Sequence, residues 1–180
     1  IAAVTTATDN VGVTSGPTAD NNGPFPVGST TVNWTACDAA GNCGTATQVV
    51  TVTDTTPPDI TNACLTDTLW PPNHKLVSVA GGSASDAVGP VTVNVSVTSN
   101  QPLNGTGDGN TDSDWHTVVN PDGSYSVKLR AERAGNIGQR DYTVTITATD
   151  GNGNTSTADC SASVPHDQGN NNSPASKKGK

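Results

Sequence analysis

The residues best placed to do chemistry are the oxygens at alternate positions of one short segment, Asp108-Gly109-Asn110-Thr111-Asp112-Ser113-Asp114. Asp108, Asn110, Asp112 and Asp114 on such a loop would converge on a single hard cation, and calcium suits that ligand set. The segment opens like an EF-hand loop and then departs from it. Ser113 stands where the turn glycine belongs, and Val119 where a bidentate glutamate would close the site. A metal loop and a plain solvated loop therefore both fit these residues.

A second acidic set is spread along the chain: Asp38 and Asp54 with Asp9 and Asn42 early on, and Asp150 with Asp86, Asn152 and Asn154 later. At the ends of tandem β-domains, such oxygens bind a cation that neutralises them and stiffens the joint. The same residues also make good hairpin turns, because Asp bonds its own backbone and Gly or Asn tolerates positive φ. Trp115 and His116, with Trp70, are candidates for a sugar-stacking surface, against which stands the ordinary role of Trp as a core anchor, expected for Trp34 and Trp70. His74, His116 and His166 are isolated from one another in sequence. Gly-x-Ser-x-Gly, His-Glu-x-x-His and phosphate-loop patterns are absent, and the chain holds a single glutamate, Glu132. The expectation is a non-catalytic protein with no catalytic residues.

Strands must position these side chains. Val91-Thr92-Val93-Asn94-Val95-Ser96-Val97 and Tyr142-Thr143-Val144-Thr145-Ile146-Thr147 alternate with period two, the mark of antiparallel strands with one wet and one buried face. Hydrophobic residues make up 32% of the chain, with one Phe, two Tyr, three Trp and no Met, which suits thin β-sandwich cores of Val, Ile and Thr. No amphipathic helix is evident; Lys128-Leu129-Arg130-Ala131-Glu132-Arg133 comes nearest, and it also fits an edge strand. The reading is all-β. At Asp54-Thr55-Thr56-Pro57-Pro58-Asp59-Ile60, two prolines stiffen the backbone and cannot donate to a sheet, which marks a joint between two domains. The expected layout is a domain over residues 1–57, a larger one over 58–166, and a tail over 167–180 too poor in apolar residues to fold.

The net charge is −8, and residues 1–57 carry no Lys or Arg. An acidic body repels nucleic acid and anionic membrane surfaces, so neither is an expected partner. No signal peptide or transmembrane run is present, so no membrane insertion is expected. Cys37 and Cys43 flank a turn between two strand-like runs; Cys64 and Cys160 stand near the start and end of the second block. An even count with one pair per domain predicts the disulfides Cys37–Cys43 and Cys64–Cys160 and an oxidising compartment.

The two blocks echo each other. Ala7-Thr8-Asp9-Asn10-Val11-Gly12-Val13 recurs as Ala84-Ser85-Asp86-Ala87-Val88-Gly89, and Trp34 to Asn42 recurs as Ile146 to Asn154. Phe25-Pro26-Val27-Gly28-Ser29-Thr30-Thr31-Val32, then Trp34-Thr35-Ala36-Cys37-Asp38-Ala39-Ala40-Gly41-Asn42 and a strand ending at Asp54-Thr55-Thr56-Pro57-Pro58, closely resembles the hyalin repeat module. The resemblance covers about residues 1–60. It implies an immunoglobulin-like β-sandwich of extracellular and cell-surface proteins associated with adhesion, here opening inside the module without its first strand. The second block, marked by Leu69-Trp70-Pro71-Pro72-Asn73-His74-Lys75 and Val164-Pro165-His166-Asp167, resembles a longer relative at the C-terminal ends of secreted bacterial proteins.

Together these readings predict two tandem immunoglobulin-like antiparallel sandwiches with a disordered tail, in an extracellular or cell-surface structural or adhesive protein. Calcium is the expected cofactor, and other copies of the chain or other surface components are the expected partners, with assembly into filaments. The rival expectation is an accessory module of a larger secreted hydrolase, binding polysaccharide or acting as a spacer.

Overall fold

The computed structural model of the chain describes residues 6–61, 64–103, 105, 109, 111 and 113–166, and all its elements are β-strands. It divides into two compact units, Ile1–Thr55 and Thr56–Lys180, so the boundary falls inside the proline-bearing joint.

The described part of the first unit is one antiparallel sheet of three strands, β1 (Val13–Ala19), β2 (Gly28–Asp38) and β3 (Cys43–Val52), in the order β1-β2-β3. β2 and β3 pair without interruption from Cys37↔Cys43 to Gly28↔Val52. Period two sends Thr30, Val32, Trp34 and Ala36 to one face, and Val32 there is fully buried. The turn joining them is closed by Asp38 N donating to Asn42 O at 3.0 Å, with Gly41 at φ +89°. This is the three-residue hairpin loop that needs a left-handed residue at its last position, which glycine supplies without strain. β1 is less regular: its register shifts twice, and Pro17 lies in its middle.

The described residues of the second unit form seven strands: β4 (Asp59–Thr61), β5 (Leu76–Ser85), β6 (Thr92–Ser99), β7 (Trp115–Val119), β8 (Ser124–Arg130), β9 (Arg140–Thr149) and β10 (Thr155–Val164). They form two sheets, β4-β5-β8-β7 and β10-β9-β6. Lettered A to G in chain order, these are the ABED and CFG sheets of the immunoglobulin constant-type sandwich. Tyr142, near the start of β9, donates its hydroxyl to the Arg130 carbonyl at 3.1 Å, which is the tyrosine corner of that fold. The core between the sheets is built from Val79, Val127, Leu129, Tyr142, Val144, Ile146 and Val164, with Leu69 entering from an irregular segment. Strand β9 shows why: Tyr142, Val144, Ile146 and Ala148 are all buried, and the threonines between them face outward.

One expectation is corrected. The Lys128–Arg133 run is neither helix nor edge strand, because β8 lies between β5 and β7 in the interior of its sheet. Its charges misled: Lys128 is on the wet face, and Leu129 beside it is 0% exposed.

Both expected disulfides are formed, Cys37–Cys43 across the β2–β3 hairpin and Cys64–Cys160 onto β10. The loops they close differ greatly, with sequence separations of 6 and 96. Chain-entropy arithmetic gives about 2 kcal/mol for the short loop and about 4.5 kcal/mol for the long one. Replacing Cys64 and Cys160 together by serine should therefore lower the unfolding free energy of the second unit about twice as much as replacing the Cys37/Cys43 pair lowers that of the first. Equal losses in chemical unfolding followed unit by unit would contradict this.

Candidate functional site

The acidic turns are built alike in the two units. Asp38 Oδ1 accepts from the backbone N–H of Ala40 and Asn42 at 2.9 and 2.8 Å, and its Oδ2 from Asn42 Nδ2 at 2.8 Å. Asp150 does the same with Asn152, Asn154 and Asn154 Nδ2, each at 2.8 Å. Asp9 and Asp86 share a second arrangement, each accepting from the residue two positions on, Val11 and Val88, at 2.7 Å. The Asn42 side chain, then its backbone N–H, holds the Asp38 carboxyl below its ordinary value. For Asp150 burial is the largest influence and raises the value, but the hydrogen bonds from Asn154 and Asn152 together outweigh it and the carboxyl ends lowered. Both therefore stand as carboxylates at neutral pH.

In the second unit, strand packing brings a carboxylate oxygen of Asp86 and one of Asp150 within 4.8 Å of each other. Two like charges this close repel, and a hard cation between them removes the repulsion. The donor set fits calcium, since both residues are carboxylates at loop ends where backbone carbonyls add ligands readily. Asp54, the last acidic residue of the first unit, is buried at 8% exposure. Asp108, Asn110 and Asp112 lie outside the described residues.

Asp114 takes part in a different chemistry. It is 2% exposed, turned inward, and ion-paired through Oδ2 with Arg140 Nη2. Arg140, fully buried, also reaches Glu132 Oε1 at 3.7 Å, bonds Ser99 Oγ through Nε at 2.9 Å, and stacks over the Tyr142 ring at 4.7 Å. Glu132, also 0% exposed, meets His74 Nδ1 at 3.3 Å and Arg130 Nε at 3.8 Å through Oε2, which the Thr111 hydroxyl also contacts. Arg130 in turn donates to the carbonyls of Ser113 at 3.1 Å and His74 at 2.8 Å. Among the described residues those two are the non-glycine positions with positive φ, at +60° and +61°. A guanidinium thus holds two left-handed carbonyls in place, each costing on the order of 1 kcal/mol. Among the described residues, Asp114 Oδ1, Glu132 Oε1 and Arg140 Nη1 lack a protein donor or acceptor in standard hydrogen-bond geometry. Burial is the main cause that raises the Glu132 carboxyl, and the neighbouring Asp114 adds to it against the lowering by Thr111 and His74. Sequence reading missed this cluster. The signal available was the lone glutamate of the chain, Glu132, set between Arg130 and Arg133.

Trp115 and His116 do not share a surface. Adjacent strand positions face opposite ways, so Trp115 packs against the core and His116 is exposed. Trp70 is 41% exposed while its neighbour Leu69 is the buried anchor, which corrects the expectation that Trp70 fills the core. Trp34 lies on the apolar face of the first unit, its Nε1 donating to Gln48 Oε1 at 3.0 Å. Among the described residues no second sheet covers that face. A groove of about 480 Å³ lies there, lined by Trp34, Ala36, Ala46 and Gln48 and by the Thr6–Asp9 segment.

The Glu132 cluster gives a pH-dependence of definite sign. Its folded-state value stands above the unfolded one, so the protonated acid favours the fold. That contribution is whole below the ordinary glutamate range and is lost as pH rises through the raised value. Glu132→Gln keeps a neutral side chain of the same shape, so the wild type should lose thermal stability relative to this variant as pH is raised from acid to neutral. A pH-independent difference between their melting temperatures would contradict it. Arg140→Met leaves Asp114 buried without its partner and should cost about 3–5 kcal/mol.

No protein-family model matches the chain, and no curated protein matches it significantly. Among solved structures it is similar to the protocadherin gamma-B4 extracellular domain, at 12% identity and TM-score 0.44, over 76% of this chain and 21% of that one. It is also similar to protocadherin gamma-B2 extracellular cadherin domains 3–6 (18% identity, TM-score 0.40, 74% of this chain and 30% of that one). A third is protocadherin gamma-B7 cadherin domains 1–4 (12%, TM-score 0.42, 76% and 32%). The chain thus spans between a fifth and a third of the length of these structures.

Proposed function

We propose that the chain is a non-catalytic structural or adhesive module of an extracellular or cell-surface protein, stabilised by calcium bound at the acidic loop ends of its sandwiches. The observation that carries this reading is the repetition of one strand–turn–strand unit with the same carboxylate turns and a disulfide in each unit. Repetition of one folded module extends a chain and presents surface; disulfides suit an oxidising exterior. The sealed Glu132–Arg140–Asp114 cluster also supports a non-catalytic role, because side chains with no exposed surface meet no substrate. Asp86 and Asp150 are the described residues that would hold the ion, and its charge would offset their mutual repulsion. Copies of the chain or other surface components are the partners that such a module would join, in end-to-end assemblies.

Differential scanning calorimetry of the full chain with calcium and with chelator tests the reading. An ion bound only to the folded state at about a hundred times its dissociation constant adds about 2.7 kcal/mol, a shift of several degrees. Asp86→Asn with Asp150→Asn should abolish the shift while keeping the Oδ1 acceptors of both turns. A shift abolished instead by Asp112→Ala would assign the ion to the 108–114 segment. Melting curves that do not respond to calcium would overturn the calcium reading.

A further inference from the structure

The two sheets of the second unit meet water with different chemistry. Tyr142, Val144, Ile146 and Ala148 of β9 point into the core, so the threonines at 143, 145, 147 and 149 form the outer side of that strand. Their cross-strand partners on β6 and β10 are Thr, Ser, Asn and one Asp, with no apolar and no cationic residue among them. The outer side of the other sheet instead carries Lys128 and His116 beside the exposed Leu76 and Val118. Solubility alone therefore does not require a plane of hydroxyls in this fold.

At one end the plane hollows into a groove of about 430 Å³. Ser161 pairs with Thr143 and Ser163 with Asp141 across the β9–β10 ladder, and the two short serines form its floor. One wall is Asp67 and Thr68, on the segment that pairs with Ser163 in parallel; the other is Gln139 and Asp141. Asp141 is held in one orientation, its Oδ1 accepting from Gln139 Nε2 at 2.6 Å and its Oδ2 from Asn100 Nδ2 at 3.1 Å. Asp67 Oδ1 accepts from the Thr68 hydroxyl at 3.2 Å. A carboxylate offers about four acceptor positions, so each of these keeps room for further donors. Both are exposed, and no Lys or Arg lines the groove. Two residues beyond Thr68 stands Trp70, 41% exposed, and the alternation that buries Leu69 turns its indole to the Thr68 side.

We propose that this groove, with Trp70 at its rim, binds a neutral polysaccharide. Every sugar hydroxyl both donates and accepts, which matches a floor of serine and threonine hydroxyls between two carboxylate walls. Hydroxyl bonds to a carboxylate are the stronger kind, and Asp67 and Asp141 supply them from opposite sides of the groove. The indole of Trp70 gives one pyranose ring an apolar face to pack on, and the polar groups fix the orientation of the next. Charge sets the class: carboxylates without a facing cation, on a chain of net charge −8, repel uronate and sulfated polymers. The threonine plane continues the contact along β9 for further rings. The inference rests on the adhesive reading, for which it names the surface component that is bound; it involves no calcium.

The test is an NMR titration of the full chain with cellohexaose, laminarihexaose and mannohexaose, and with hexagalacturonate as the anionic comparison. At millimolar concentration at least one neutral hexasaccharide should move the amide signals of Thr143, Ser161 and Ser163 and the indole signal of Trp70, and hexagalacturonate should leave them in place. Trp70→Ala should weaken that binding about tenfold, and so should Thr143→Val combined with Ser161→Ala, which removes two hydroxyls from exposed strand positions. If Trp70→Ala does not fold, the hydroxyl variant decides. No response to any of the three neutral sugars would overturn the proposal, as would an equal response to hexagalacturonate, shifts confined to the Trp34 groove of the first unit, or undiminished binding by the hydroxyl variant. A melting temperature raised by calcium in a chain that ignores all three sugars would overturn this inference alone and leave the adhesive reading standing.

Discussion

The register of one hairpin decides what the rest of this protein can be. A strand alternates its faces with period two, so a slip of one residue would turn every core side chain to solvent. At Asp150 three acceptor contacts to Asn152 and Asn154 fix the turn, and β9 and β10 then run in unbroken register from Thr149↔Thr155 to Arg140↔Val164. That register puts Tyr142, Val144, Ile146 and Ala148 inside, positions Cys160 to meet Cys64, and sends Ser163 outward to capture Asp67–Leu69. The Asp38 turn does the same for Val32, Trp34 and Ala36. An aspartate that looks like a ligand in the sequence is first of all the residue that sets the register. A cation bound by Asp150 would therefore act on a group whose position the fold already requires, so ion binding and hairpin stability are coupled.

Arg140 is the second dependence, and it runs against the usual economy of a small core. A buried guanidinium costs more in lost hydration than an isolated ion pair returns, unless further bonds satisfy it. Here Asp114, Ser99, the Tyr142 ring and the more distant Glu132 share that task. The cluster ties the chain ahead of β7 and the end of β8, which one ladder already joins, to the start of β9 in the other sheet. Hydrophobic residues of equal volume would hold these segments without fixing their relative height. The charges impose one arrangement, with His74 and Ser113 held in left-handed conformations by Arg130.

Much of the fold was legible because it depends on local pattern: alternating Thr and Val, the Pro-Pro joint, the Asp-x-x-Gly-Asn turns and the positions of the four cysteines. The paired turns were visible as a repeat before they were visible as geometry. The site was less legible, because facing is a tertiary property. Lys128 and Arg130 made β8 read as an edge, although both lie on one side of an interior strand whose other side is Leu129. Asp114 belongs to an acidic run whose spacing suggests a cation, yet its carboxylate goes to an arginine distant in sequence. Leu69 rather than Trp70 entered the core because the edge of β10 required a backbone partner at that height, which no periodicity in Thr68-Leu69-Trp70 reveals.

Among the described residues the two units differ in how much of their sheets is buried. Sheets become stable by burying one face, and a three-stranded sheet with both faces wet is marginal. In the second unit β4, β5, β8 and β7 cover the β9 face, and sixteen residues form the buried cluster. The corresponding sheet of the first unit buries Val32, while Trp34 and Ala36, which match Ile146 and Ala148, remain partly exposed. Its disulfide, Cys37–Cys43, holds the hairpin end and adds no burial to the Trp34 face. The described sheet keeps its register because the Asp38 turn and the disulfide set it.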